Sequence, residues 1–380
     1  MKKSFKIFGM FLMIGMMLTS CDDAEYSPLS PHAYLAEAAN ASGTKVILTG
    51  TDATTKINVR LSDKVDKDCE FELVTDQDAL DRYNKQNGTG YIMLPESGYS
   101  IPKRITIKAG EYAADPVEIT IYAFSEEMAT SGEQYALPLR LKAVSGGIEA
   151  MNQSGAFVIA TGNVQKFSAP VLNGNTPVRI TMPHDIVLNE YTIEMRFQVS
   201  GFYENQAFFD GTGDSGNDAT YIRLEDPINV WNLMQIKLKG TYLNAITPNE
   251  KNKWQHFAIT FSNSQVKIYI NGKLDAQKEV GGDPVTLKRI SLVSSGRYFR
   301  ANCLLNEVRL WSKALNETQI QNNMTVVSPN SDGLEVYWKM NEGEGNFFKD
   351  ATGHGFDGQA EGTVKWIHNI LSTDESTPWN

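Results

Sequence analysis

Residues 254–273 read WQHFAITFSNSQVKIYINGK, and this stretch decides the fold of the longer half of the chain. Phe257, Ile259 and Phe261 alternate with His256, Ala258 and Thr260. After a polar turn at 262–264, Val266, Ile268 and Ile270 alternate with Lys267 and Tyr269. Successive strand side chains point to opposite faces, so period 2 on both arms predicts a β-hairpin with one buried and one wet face. Asn271-Gly272 follows and predicts a type I′ turn, because both central residues of that turn need positive φ.

The same alternation spreads outward on both sides. Segments 191–200, 207–211, 220–226, 233–240, 286–294, 306–315 and 334–345 all carry apolar residues at every second position or as short aromatic runs. A short helix is predicted at 317–324, with Asn316 as N-cap. So many short strands between 167 and 372 predict two packed antiparallel sheets, a jelly roll. GNVQKFSAP (162–170) marks the boundary on the N-terminal side. Before it, at 33–162, strands are predicted at 56–62, 70–75, 104–110, 117–124, 135–144 and 155–161, with one helix at 76–86. That pattern predicts an immunoglobulin-like antiparallel β-sandwich. The fold class is therefore all-β.

Composition is that of a globular protein: 380 residues, 41% hydrophobic and 21% charged, with net charge −10. The first twenty residues hold Lys2, Lys3 and Lys6 and no acid, which leaves 32 basic and 45 acidic residues behind them, a balance of −13. So acidic a surface repels phosphate backbones and argues against nucleic-acid binding. Three cysteines, at 21, 69 and 303, make no zinc-like spacing. Cys69 and Cys303 read as small buried hydrophobes, or as an interdomain disulfide if their Cα atoms lie close.

Residues 1–21 combine a basic start with an apolar run from 7 to 18, which predicts a secretory signal too short to span a membrane as a mature helix. Leu18-Thr19-Ser20-Cys21 resembles the bacterial lipoprotein lipobox, which implies lipidation of Cys21. Asp22, Asp23 and Glu25 resemble the export signal of Bacteroidota surface lipoproteins. Together they imply an outer-membrane protein, lipid-anchored and facing the cell exterior, with 22–32 as a tether.

TIEMRF, WQHFAITF, VKIYINGK, NEVRLWSKAL and YWKMNEGEG, followed by DATGHGFDG, resemble the laminin-G-like, concanavalin A-like superfamily in the order of its motifs. Asn306 stands where the fourth motif usually begins with Asp. In 33–162, PLRLKAV and RITIKAGEYAADPVEITIYA resemble a β-sandwich domain of Bacteroidota surface lipoproteins, including some endo-β-N-acetylglucosaminidases. That resemblance implies a spacer or glycan-associated module and brings no catalytic residue.

Several motifs imitate chemistry. Asp63, Asp66, Asp68 and Glu70 spell DxxDxDxE, the run of family-18 glycosidases, but about 130 residues cannot house a barrel of about 250. Gly211, Gly213 and Gly216 match GxGxxG, but a strand follows where a helix N-terminus should meet the phosphate. Gly213-Asp214-Ser215-Gly216 has no base in a suitable setting. No ExDxE run occurs in 167–372, and Glu342 and Glu344 sit among glycines at a turn. The expectation is a protein that is not an enzyme.

Two clusters predict a structural Ca²⁺: Asn346, Asp350 and Asp357, or Asp210, Asp214, Asn217 and Asp218. For sugar binding the candidates are loop aromatics and their polar neighbours: Tyr203, Asn205, Trp231, Tyr242, Arg297, Tyr298, Phe299 and Arg300. Glu307 is expected to be buried and paired with an arginine such as Arg196. The functional expectation is a monomeric surface lipoprotein that binds host or dietary glycan beside outer-membrane uptake proteins. The alternatives are a protein-interaction or assembly module and a cryptic glycoside hydrolase. A shallow, aromatic-lined concave face would favour the first.

Overall fold

The structure is a computed structural model, and it describes residues 30–379 apart from 132, 215–219, 226–229 and 282–283. The expected signal, the expected lipidation site Cys21 and most of the expected tether lie outside the described residues, as do Asn217 and Asp218. Among the described residues no helix is long and apolar enough to cross a membrane.

The N-terminal unit is built around Leu35, Val59, Phe71, Ile107, Ile119, Leu139 and Ile159. Its largest sheet runs Gly43–Leu48, Ala156–Asn163, Tyr135–Ser145, Cys69–Thr75, Ile105–Ile107. The sheet is mixed where an antiparallel one was expected. Gly43–Leu48 pairs in parallel with Ala156–Asn163, and its edge sequence, GTKVIL, shows no clean alternation. The helix spans Gln77–Asn87, with Asp76 accepting from Ala79 N at 3.2 Å and Gly88 in the left-handed region at φ 61°. The DxxDxDxE run is a solvated loop entering a strand, where Asp68 pairs with exposed Lys108 at 2.8 Å.

The C-terminal unit has two eight-stranded sheets. The first runs Lys273–Glu279, Gln265–Ile270, Gln255–Ser262, Tyr191–Val199, Cys303–Trp311, Lys166–Leu172, Lys365–Leu371, with Leu334–Trp338 also on Cys303–Trp311. The second runs Thr241–Asn244, Leu233–Leu238, Thr220–Glu225, Gln206–Thr212, Arg289–Leu292, Val178–Ile180, Gly358–Ala360, Phe347–Phe348. Ile193, Met195, Phe197, Phe257 and Ile259 face Phe209, Ile222, Met234 and Ile236 across the core. Cys69 and Cys303 are free thiols, each buried in its own core.

The hairpin forms in the expected register, from Phe257↔Ile270 to Ser262↔Gln265. Asn263 and Ser264 turn it with φ 49° and 62°, and Asn271-Gly272 turns into the next strand with φ 48° and 78°. Its second face is not wet. His256, Ala258 and Thr260 are buried, because the helix Glu317–Asn323 and the segments on either side of it pack Leu315, Ile320 and Val327 onto that face. The chain's end covers the neighbouring region: Gln198 and Thr377 bond reciprocally at 2.6 and 2.7 Å.

A charged network lies under this cover. Arg309 bonds Glu194 at 2.9 Å, and it also bonds Glu307. Trp311 Nε1 donates to Glu194 at 2.9 Å, and Tyr337 OH donates to Glu307 at 2.5 Å. Glu307 therefore pairs with Arg309, two residues along its own strand, instead of Arg196. The register slips here: Asn306 faces Arg196 and Arg309 faces Glu194. The extra residue makes a bulge, with Glu307 itself at φ 55°. Burial alone would raise the Glu194 carboxyl; the Arg309 guanidinium and the His256 ring outweigh it and hold the carboxyl down at about 2.

Candidate binding face on the second sheet

The outer face of the second sheet is the exposed functional candidate. Along Thr220–Glu225, Ile222 and Leu224 enter the core, so Tyr221, Arg223 and Glu225 must face outward. Along Leu233–Leu238 the same rule sends Met234, Ile236 and Leu238 inward and Gln235 and Lys237 outward.

Strand register then assembles a row. Tyr242 lies opposite Lys237, Lys237 opposite Tyr221 and Tyr221 opposite Asp210. Asp210 lies opposite Ser291, Ser291 opposite Arg179, Arg179 opposite Gln359 and Gln359 opposite Phe347. All eight strands contribute one residue. Tyr242 and Phe347 are each 49% exposed, near opposite ends of the row.

A second row stiffens the first. Arg223 donates to Gln235 Oε1 through Nε and Nη2 at 2.9 and 2.7 Å. Gln235 Nε2 donates to Asn244 Oδ1 at 2.7 Å. Asn205 Oδ1 accepts from Arg223 Nη1 at 2.9 Å and from Tyr221 OH at 3.2 Å. Glu225 completes the surroundings of Arg223 at 3.2 Å. Such a network holds Tyr221 and Arg223 in place before any ligand arrives. Asn205, Tyr221, Arg223, Lys237 and Tyr242 together line an open depression of about 290 Å³. Burial raises the Asp210 carboxyl above its usual range, against the opposing pull of Arg179 and Arg289.

Of the eight loop residues proposed from sequence for sugar binding, Asn205 and Tyr242 lie in this depression. Tyr203 and Arg300 form a separate cation–π pair at 5.6 Å, and Arg297 lies 5.2 Å from the Tyr298 ring. Trp231 is half-buried with φ 54° and lines no part of the depression. Phe299 is a correction. It is 2% exposed and packs on Phe208 with ring centroids 5.3 Å apart, so it is core and offers no ring face to a sugar. Tyr221, Arg223, Gln235 and Lys237 join the face from strands, where the sequence candidates lay in loops. Their signal was present as the polar and aromatic phase of two alternating strands.

The first group of Ca²⁺ candidates forms a hydrogen-bonded loop. Asp350, 1% exposed, accepts from the amides of Tyr337, Thr352 and Phe356 and from the Thr352 hydroxyl. Asp357 Oδ1 accepts from Asp350 N at 2.9 Å. Asn346 Oδ1 accepts from Val364 N at 3.0 Å, and its amide donates to Gly362 O. These groups clasp a loop with protein donors. In the second candidate, Asp214 pairs with Lys288 at 2.5 Å, while Asp210 stands on the sheet row. Among the described residues no three His, Cys, Asp or Glu converge on a metal position. Glu342 accepts from Lys349 N at 3.0 Å and braces its own turn.

Comparison with known proteins fits this architecture. Residues 172–321 match the model of the concanavalin A-like lectin/glucanases superfamily. The C-terminal unit is a concanavalin A-like domain. Residues 28–148 match a second model, described as an N-terminal domain. A solved structure from Bacteroides ovatus ATCC 8483, described as a candidate carbohydrate binding protein, superposes on 89% of this chain and 98% of its own with TM-score 0.56 and 22% identity. At that identity it establishes the shared fold of both units. EndoBT-3987 of Bacteroides thetaiotaomicron, solved with Man5GlcNAc, covers 35% of this chain and 31% of its own at 20% identity and TM-score 0.30. Domain 4 of the Geobacillus stearothermophilus arabinanase AbnA, solved with arabinotriose, covers 40% of this chain and 75% of its own at 19% identity and TM-score 0.32. No curated protein matches the chain. The concanavalin A-like domain thus supplies the sheet whose outer face carries the Tyr221–Tyr242 depression.

Proposed function

We propose that this protein binds carbohydrate on the outer face of the second sheet of its concanavalin A-like domain and does not cleave it. The observation that carries the reading is the Tyr221–Lys237–Tyr242 row held beside the Asn205–Arg223–Gln235–Asn244 network. Sugar C–H faces stack on aromatic rings, and fixed amides and charges select hydroxyls. The shared architecture with a candidate carbohydrate binding protein of Bacteroides ovatus supports the same reading.

Hydrolysis by two carboxyls needs them about 5 to 9.5 Å apart. On this face Asp210 lies opposite Tyr221, and Glu225 lies four residues further along that strand. Strand rise and spacing put their backbones about 14 Å apart. Glu225 is moreover committed to Arg223. A binding role therefore suits the face better than a catalytic one. We further propose that Cys21 is lipidated and that the protein displays the domain outside the outer membrane, where adsorbed glycan passes to uptake proteins.

The test is a glycan array probed with the full chain, repeated with Tyr221→Ala. Binding of at least one glycan by the wild type, lost in the variant, is the expected result. A chain that binds no glycan but captures a surface protein through the same face would overturn the carbohydrate reading.

A further inference from the structure

Phe347 shares a sheet face with the Tyr221–Tyr242 depression but stands far from it. Its neighbour Phe348 is fully buried, with its ring centroid 5.9 Å from that of Trp366, so strand alternation turns Phe347 outward. A lone exposed phenylalanine is ordinary on a protein surface. This one ends the row that runs from Tyr242 through Lys237, Tyr221, Asp210, Ser291, Arg179 and Gln359. The row crosses all eight strands of the sheet. At about 4.8 Å per strand, Tyr242 and Phe347 lie about 34 Å apart along it.

The far half of the row has polar bonds of its own. Arg179 donates through Nη1 to Ser291 Oγ at 3.0 Å and through Nε to Glu361 at 2.9 Å. The middle is recessed: Tyr221, Asp210 and Ser291 are half-buried, while Tyr242, Arg179, Gln359 and Phe347 are exposed. Polar side chains also flank the row on both sides. Two residues along in one direction stand Arg223, Gln235 and Asn244, paired with one another across their strands. Two residues along in the other direction stand Thr212 and Arg289, where Arg289 Nε donates to Thr212 Oγ1 at 3.3 Å. Two residues of strand rise put each flank about 7 Å from the row, so the lane between them is about 14 Å wide from backbone to backbone.

Length, width and twist specify the ligand. A single sugar or a short glycan end fills the depression and leaves Phe347 out of reach. A stiff, flat ligand cannot follow the face, because sheet twist turns it progressively from strand to strand. A chain of sugars rotates at each linkage and can stack on a ring at both ends of the row. The lane admits one such chain, and branches on it would meet Arg223 on one flank or Arg289 on the other.

We infer that the face takes an internal stretch of a long, unbranched polysaccharide, laid across the strands from Tyr242 to Phe347. The inference rests on the glycan reading of this face and adds to it a second aromatic subsite and a chain direction. Tyr242 and Phe347 stack on sugar rings near the two ends. Between them Asp210, Ser291, Arg179 and Gln359 bond hydroxyls.

The test is titration of the full chain with linear mannan, xylan, arabinan and hyaluronan, joined by any glycan the array identifies. Each is supplied as polymer, octasaccharide and disaccharide. For a glycan that binds, polymer and octasaccharide should bind at least about tenfold more tightly than the disaccharide. Phe347→Ala removes a ring that is 49% exposed. It should weaken the octasaccharide about 8- to 70-fold and leave the disaccharide unchanged. Tyr221→Ala should weaken both, and Tyr112→Ala, an aromatic 52% exposed on the N-terminal unit, should alter neither. Borohydride reduction of the polymer's chain ends should leave its binding unchanged, because an internal stretch is held. Equal affinity for disaccharide and octasaccharide, with Phe347→Ala silent, would confine the site to the depression and overturn this inference while the glycan reading stands. Loss of polymer binding on end reduction would do the same. No binding to any glycan would overturn the glycan reading and this inference with it.

Discussion

Tyr242→Ala is the sharpest probe of the sheet face. Tyr242 is 49% exposed, and its backbone amide belongs to the edge strand Thr241–Asn244. A tyrosine presents about 200 Å² of side-chain surface, so about 100 Å² of it is free. A sugar ring covering between half and all of that area removes about 50–100 Å² of apolar surface from water. At about 25 cal/mol/Å² this contributes about 1.2–2.5 kcal/mol. Removing the ring should therefore weaken binding about 8- to 70-fold. Folding should hardly change, because exposed substitutions of this kind stay within about 0.5 kcal/mol. The assay is titration of the best glycan from the array against wild type and variant, with melting curves recorded on both. Unchanged affinity for Tyr242→Ala, together with loss in Tyr203→Ala, would refute the sheet-face assignment and move the site to the Tyr203–Arg300 pair.

Other outcomes follow from the buried framework. Arg309→Met leaves Glu194 and Glu307 without their cation and should destabilise the concanavalin A-like domain by about 3–5 kcal/mol in urea denaturation; adding Glu194→Gln should restore part of the loss. The Glu194 carboxyl is depressed in the folded state, so its contribution is present above the unfolded pKa and is lost as pH falls through the usual carboxylate range toward about 2. Denaturation midpoints should fall over that window, and Glu194→Gln should flatten the slope. Gly272→Ala meets φ 78° and puts a Cβ 2.9 Å from Gln321 Cγ, so it should cost about 1 kcal/mol or more by thermal unfolding. Chelation with EDTA should leave the melting temperature unchanged, whereas Asp350→Ala, which strands the amides of Tyr337 and Phe356, should lower stability by about 1–3 kcal/mol.

Local pattern determined the all-β class, the hairpin with its Asn271-Gly272 turn, and the two helices at Gln77–Asn87 and Glu317–Asn323, the second with its Asn316 cap. These features depend on side-chain period and turn stereochemistry, which act over a few residues. Tertiary structure decided the rest. The second face of Gln255–Ser262 is dry only because a helix some sixty residues later folds over it. Phe299 looked like a loop aromatic and is core because Phe208 meets it from a distant strand. Glu307 chose Arg309 over Arg196 because a bulge shifted the register between two strands more than a hundred residues apart. The Asp210–Tyr221–Lys237–Tyr242 row exists only through pairing of four strands, so its members carry no mark in sequence beyond outward-facing alternation. Pairing register and long-range cover are properties of the whole chain, and they set which polar residues meet on one face.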